Sequence, residues 1–555
     1  MTIQSWMKDT LLVSVILFSG AMIAAYLFAA DRVKTPSSFD PTLNLSDAWM
    51  ASVNNLDRQI ENSLENQNLV WSEPAAEKTV FRRLALALTG SLPSFEEFKE
   101  LEKIPGEQRV HWYVSHLLDD KRSADHLAER LARVFVGVEE GPFLVYRRRR
   151  FVSWLSDQIQ NNRPYDEITY NILTSTGLWT DSPEVNYYTY NIIPDDDAEN
   201  QPDPIRLAAR TSRAFLGMRI DCLQCHDDFL GTMNLETDNE ITAGTQKHFH
   251  ELAAFFSQVQ NSLVGINDNK DSDIYSYQLL DSSGKKPIPA SVPFKQELDD
   301  STESNLRLRL AKWVTHSENQ VFSAAIINRV WAIMFGRPFI EPVDDLSIEN
   351  QYPEAFEFLI DDFAIHGYNL HRLIRQIAAS RAFGRSSSAE FEILDSHLKQ
   401  FAVFPMSRLR PEQMAGAIIQ ATSLKTLDST SHIISRLTKF GQQNDFVDRF
   451  GDLGEDEFNE RPETITQRLL MMNGEMVGER LDNGINSTAR IANLAPSNEK
   501  AVETVYLAVL SRKPTAKESR HFANQLNDLT RSQRNTRIKD IYWTLINSAE
   551  FSWNH

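Results

Sequence analysis

The chain has two cysteines among 555 residues, and both lie in one short run, Asp221-Cys222-Leu223-Gln224-Cys225-His226. Two cysteines exclude a disulfide scaffold, so hydrophobic burial has to hold a chain of this length together. Placed at random, two cysteines three residues apart and followed by histidine arise roughly once in ten thousand arrangements. The spacing therefore points to chemistry. C-x-x-C-H is the attachment signature of c-type haem. On a helix, residues three apart share a face, so Cys222 and Cys225 can both reach the two vinyl groups of one porphyrin. His226 then supplies the proximal imidazole to the iron. Two other readings fit the same residues, a redox C-x-x-C disulfide and half of a zinc site completed by His248 and His250. The first wants a βαβ context, whereas the flanks here have helical spacing. The second is not usual finger spacing, because histidine directly follows the second cysteine.

Leu11–Ala30 reads LLVSVILFSGAMIAAYLFAA, twenty residues without a charge. As a helix it is long enough to cross a hydrocarbon core of about 30 Å. Its apolar run exceeds that of a cleaved signal peptide and no clean A-x-A site follows, so the expectation is an uncleaved anchor. Lys8 faces Arg32 and Lys34 across it, which sets no orientation. Covalent haem attachment takes place on the exported side of the membrane. That places residues 1–10 in the cytoplasm and the bulk in the periplasm or cell envelope, a single-pass inner-membrane protein. The net charge of −19 argues against nucleic acid as a partner, since phosphate binding needs a basic footprint.

Behind the anchor the spacing predicts a mainly α protein. Residues 31–74 are a spacer and a helix whose apolar stripe is Trp49, Val53, Leu56, Ile60 and Leu64. Residues 75–260 form one helical region, with a helix opening at Ser94 and another at the cap-and-proline pair Asp203-Pro204. Residues 261–300 are a polar, turn-rich connection with minor β structure around Tyr275–Leu280 and Ala290–Phe294. Residues 301–555 are helical again, with segments at Leu306–Val314, Ser323–Met334, Pro353–His366, Asn369–Phe383, Pro411–Thr422, Ser497–Leu510 and Lys517–Phe551.

Several stretches together resemble a known family. Arg82-Arg83, Leu88-Thr89-Gly90-Ser91-Leu92-Pro93-Ser94, Arg163-Pro164-Tyr165-Asp166, Phe215-Leu216-Gly217 and Leu252-Ala253-Ala254-Phe255-Phe256 surround the C-x-x-C-H as in the planctomycete cytochrome-like domain. The second half resembles its habitual companion, the planctomycete surface-protein domain. The matching stretches are Ile327-Asn328-Arg329-Val330-Trp331, Phe335-Gly336-Arg337, Glu341-Pro342-Val343-Asp344-Asp345, Gly367-Tyr368-Asn369-Leu370, Leu510-Ser511-Arg512 with Pro514-Thr515, and Asn547–Phe551 with Asn554. The resemblance implies one haem-c motif, an envelope location and a redox partner or co-encoded surface protein. The family commonly continues its motif as C-H-D-H or C-H-N-H. Here Asp227-Asp228-Phe229-Leu230 stands instead, so a second histidine's role is missing or has moved to His248 or His250.

The sixth iron position has three candidates, Met233, His248 and His250, and an open position is the fourth possibility. On a helix over Thr245–Gln260, His248 shares a stripe with Leu252, Phe255 and Val259 and faces the core. Arg206, Arg210 and Arg213 share one helix face ahead of the motif, either as a solvated stripe paired with acids or as contacts for haem propionates. Arg147–Arg150 reads as a solvated basic run, or as a contact for anionic headgroups or an acidic partner. Asp195–Asp197 with Asp203, and the Asp452–Glu460 loop, read as solvated acidic loops rather than calcium sites. His366 and His371 read as capping or packing residues. No nucleophile elbow, P-loop, zincin or dinucleotide motif is present, and no catalytic residue is assigned. The expected function is electron transfer by a membrane-anchored monohaem cytochrome. A haem-dependent oxidoreductase acting on a substrate held by residues 301–555, and a surface-assembly protein with a structural haem, are the alternatives.

Overall fold

The computed structural model describes residues 46–138, 146–192, 201–228, 234–237, 240–269, 274–348, 352–427, 433–454, 458, 464–482 and 487–555. The protein is mainly α, with four two-stranded antiparallel sheets among these residues. Local signals place many of the helices. Asp47–Asn66 starts where Ser46 Oγ accepts from Trp49 N, and its buried face is the expected stripe from Trp49 to Leu64. Phe95–Leu101 starts at a capping box: Ser94 Oγ accepts from Glu97 N at 2.9 Å and Glu97 Oε2 accepts from Ser94 N at 2.7 Å.

One helix organises the rest. In Gln320–Phe335 every residue from Val321 to Phe335 is buried, so it has no face for water and must be wrapped on all sides. Its wrapping comes from Glu77–Thr89 and Pro204–Phe215 on the motif-bearing side, and from Glu354–Ile365 and Leu370–Ala379 on the other. One continuous core consequently runs from Leu56 to Phe404, straight across the 261–300 connection. A second cluster takes residues from Leu409 to Phe551 and reaches back to Leu86 and Leu92. The two are joined by Arg82 and Arg83, both buried. Arg82 donates to the carbonyls of Phe551 (2.9 Å) and Trp553 (3.3 Å). Arg83 donates to those of Arg385 (2.7 Å), Phe383 (2.8 Å) and His555 (2.9 Å), over the face of Phe404. Burial lowers these guanidiniums to about 10 and about 9, so both stay charged at neutral pH.

Several expectations change. In the connection, Ser276–Tyr277 pairs with Lys286–Pro287, and Gly265–Asp268 pairs with Val259–Ser262. Ala290–Phe294 is not a strand; Val292 and Phe294 fill the core from irregular chain. Lys517–Phe551 is three helices, Ala516–Asn524, Arg531–Ile546 and Ala549–Ser552, because Thr530 and Ser548 each start a new one. The helix from Gln246 stops at Ala253, turns through Ala254–Phe256 and becomes a strand at Val259. Arg147–Arg150 is only partly a solvated run: Arg149 and Arg150 are exposed, Arg148 is buried and bidentate to Glu129, and Arg147 and Arg150 lie over Trp179. Asp452 is exposed and bonds Arg133, and most of the Asp452–Glu460 loop lies outside the described residues. Among the described residues no helix is long and apolar enough to cross a membrane. Leu11–Ala30, Met233 and Asp195–Asp197 lie outside the described residues.

A shared core has a measurable consequence. Trp331 is fully buried at the centre, so Trp331→Ala in the full chain should lower stability by about 4 kcal/mol in denaturant titration. Residues 46–300 expressed alone should show no cooperative unfolding transition, since their apolar surface loses its cover. A soluble fragment with a sharp melt would contradict the shared core.

Candidate functional site

Pro204–Phe215 begins at Asp203, whose Oδ1 accepts from Ile205 N, and delivers the chain to the motif. Gly217 turns the chain at φ +60°, a conformation that disfavours any Cβ. A Cβ there would also stand 3.0 Å from Leu346 Cδ1 and 3.2 Å from Ala325 Cβ. Gly217 O accepts from Leu346 N at 2.8 Å, so the second helical region touches the chain five residues before Cys222.

The motif itself is one 3₁₀ turn, Asp221–Gln224, rather than the α-helix anticipated, with Cys225 N donating to Cys222 O at 3.3 Å. In this tighter helix residues three apart eclipse, so the shared-face argument gains. Leu223 is fully buried and roots the turn, while Cys222, Cys225 and His226 are exposed. The cysteines are free thiols. His226 Nδ1 is 2.8 Å from Asp227 O. A carbonyl only accepts, so Nδ1 carries the proton in this contact, the tautomer in which a metal-ligating histidine coordinates through Nε2.

Behind the turn, polar groups fix its backbone. Gln224 O accepts from Gln246 Nε2 (3.0 Å) and His250 Nε2 (3.2 Å). Asp227 Oδ1 accepts from Gln246 N at 2.7 Å, placing a carboxylate at that helix's N-terminus, and Asp228 N donates to Gly244 O. His250 is completely buried, stacked 3.6 Å from Tyr277, with Nδ1 2.8 Å from the Tyr275 hydroxyl. Since Nε2 donates to a carbonyl, Nδ1 accepts from Tyr275, and the ring is neutral; burial lowers its pKa to match. Both nitrogens of His250 are thus committed to the polypeptide, which removes it from the candidates for the iron. His248 does not face the core. It is half-buried, and its Nδ1 accepts from Thr245 N (3.1 Å) while Thr245 Oγ1 accepts from His248 N, a capping box with histidine in the usual Glu position.

The three arginines separate. Arg206 is exposed. Arg210 donates to Val134 O and lies over Tyr190. Arg213 Nε bonds Asp344 Oδ2 at 2.5 Å, and Arg219 Nε bonds Asp344 Oδ1 at 2.8 Å. Arg329 Nη2 stands 4.0 Å from the same carboxylate. Asp344 is 1% exposed; burial opposes its charge, but Arg219, Arg213 and Arg329 hold it below the usual carboxylate range. Asp221, at the start of the motif, lies in the field of the same group. Sequence reasoning missed Asp344, Arg219, Gln246, Tyr275 and Tyr277. Only Asp344 carried a signal, its place in the Glu341–Asp345 stretch.

The geometry weakens the other two chemistries. A redox dithiol needs a depressed thiol pKa in an electropositive setting. Partial desolvation and the nearby Asp228 and Asp221 instead push the Cys222 thiol up. Among the described residues no three histidines, cysteines or carboxylates come together to hold a metal ion.

Helical packing and an exposed C-x-x-C-H turn define a cytochrome-like domain built together with a second helical domain. Residues 55–261 match the PSCyt2 family, described as a protein of unknown function (DUF1549), and residues 306–526 match PSD1, likewise described (DUF1553). The chain belongs with the proteins that carry the planctomycete cytochrome-like PSCyt2 domain followed by PSD1. No curated protein and no solved structure matches it.

The raised thiol gives a direct check. In Cys225→Ser protein free of cofactor, alkylation of Cys222 should be slow at neutral pH and accelerate only in the alkaline range, and Asp228→Asn should shift that profile to lower pH. A rate that levels off below about pH 8 would reinstate the reactive dithiol.

Proposed function

We propose that this chain is a monohaem c-type cytochrome of the cell envelope that passes single electrons, anchored in the inner membrane by residues 11–30. The observation that carries the reading is one exposed turn bearing two free thiols and, next to them, an imidazole whose Nδ1 proton is already held by Asp227 O. Cys222 and Cys225 would form the two thioethers, and His226 Nε2 would be the proximal ligand. The surroundings suit a porphyrin. Leu280, 72% exposed, and Ile274, 72% exposed, sit on the segment that bonds Gln246 and His250 behind the turn, and Ile241 is exposed on the preceding hairpin. These apolar side chains would be covered by a bound macrocycle rather than by water.

When bound, the haem supplies one-electron chemistry at the iron. The chain's own residues supply the rest. The thioethers would keep the group from dissociating, while Asp227 O fixes the His226 ring and Gln246 and His250 keep the turn from relaxing around Gln224. For the sixth position the candidates are His248 and Met233. Arg206, Arg210 and Arg213 are the candidates for propionate contacts, Arg213 being bonded to Asp344 as well.

Expression in cells competent for c-type maturation should give one haem per chain in the reduced pyridine haemochrome spectrum. Cys225→Ser should change that spectrum to a single-thioether form, and His226→Ala should abolish the low-spin bands. Absence of haem in the wild type would refute the proposal. Fast carbon monoxide binding to the reduced protein would mark an open sixth site and favour an enzyme over a carrier. A low-spin spectrum unchanged in His248→Ala would remove that residue.

A further inference from the structure

The buried carboxylate that faces the motif comes from the other domain. Asn328, fully buried on the central helix, donates through Nδ2 to Ile340 O (2.8 Å) and Val343 O (3.1 Å), and its Oδ1 accepts from Ile340 N at 2.9 Å. These three bonds fix the backbone of residues 340–343, and the next residue is Asp344. Arg329 follows Asn328 and flanks the carboxylate from the same helix. Asp344 then bonds Arg213 and Arg219, which stand on either side of the Gly217 turn, and Leu346 N closes on Gly217 O. The Ile327–Trp331 and Glu341–Asp345 stretches thus form one relay. It begins in the centre of the core and ends two residues from Asp221.

We propose that Asp344 is a positioning residue of the C-x-x-C-H site, through which the PSD1 domain both locks the motif's approach and sets the charge beside the attached haem. Two bonds from one carboxylate to arginines six residues apart hold Arg213–Arg219 as a closed loop. Without them both arginines lose the bonds that orient them on either side of the Gly217 turn, so the effect should be local. Oxidised haem carries one more positive charge than reduced haem, so removing the anion disfavours oxidation and raises the midpoint potential. Removing Arg219 lowers it.

The electrochemical arm rests on the haem reading; the locking arm does not. In the full chain, Asp344→Asn should increase hydrogen exchange at residues 219–228 by at least about tenfold while the far-UV spectrum stays native. Glu341→Gln, on the same loop but paired at the surface with Arg337, should leave that exchange unchanged. In the haem-loaded protein Asp344→Asn should shift the midpoint potential upward and Arg219→Gln downward. If the wild type carries no haem but exchange still rises in Asp344→Asn, the lock stands and the haem reading fails. If Asp344→Asn does not fold, Arg219→Gln alone decides, since it must loosen the same residues and lower the potential. Native exchange and an unchanged potential in a folded variant overturn the proposal.

Discussion

A helix without a polar face must be surrounded, and Gln320–Phe335 imposes that requirement on the whole molecule. Helices from both family-defined regions are needed to cover it, so the core does not divide where the family matches divide. The same helix carries Asn328 and Arg329, the two polar side chains that lead outward to Asp344. Packing and site are therefore linked through one element. This gives a physical reason for a cytochrome-like domain to travel with a large companion that holds no haem motif. The companion supplies core and the far wall of the motif's approach.

Buried arginines do most of the long-range joining. Arg307 is bidentate to Asp268 and donates to Ser175 O, tying three segments together. Arg122 bonds Glu97 from another helix, and Arg130 reaches Glu412 in the second cluster. Guanidinium is suited to this because it offers five donors in a rigid fork and stays charged when buried. Burying these charges costs desolvation energy, so such contacts add little net stability, but each one leaves few alternative arrangements that satisfy it. The Arg213–Asp344–Arg219 bridge differs in that the carboxylate is its buried member and both arginines are partly exposed, close in the chain to the exposed thiols.

Local patterns in the sequence were readable because they act over a few residues. The stripe from Trp49 to Leu64, the caps at Ser94 and Asp203, and the Leu306–Val314 helix are where periodicity and capping place them. The C-x-x-C-H motif is readable for the same reason, since it occupies a single local turn. Partners are not, since periodicity tells which face is buried and not what lies against it. Arg213 read as one of three equivalent cations until Asp344, 131 positions away, claimed it. The stripe through His248 turns it to the core, whereas the buried face of Gln246–Ala253 runs through Gln246, Phe249, His250 and Ala253 and leaves His248 half-buried beside it.

As the proposed attachment point of one covalent haem, the exposed turn is supported from behind by Gln246 and His250 and from the side by Asp344. Mass spectrometry of the peptide containing Cys222 and Cys225, taken from protein matured in the envelope of a cytochrome-competent cell, tests this most directly. The expected result is the mass of that peptide plus one haem, with neither cysteine available to an alkylating reagent. Two free thiols, or a disulfide between them, on protein recovered from such cells would contradict it.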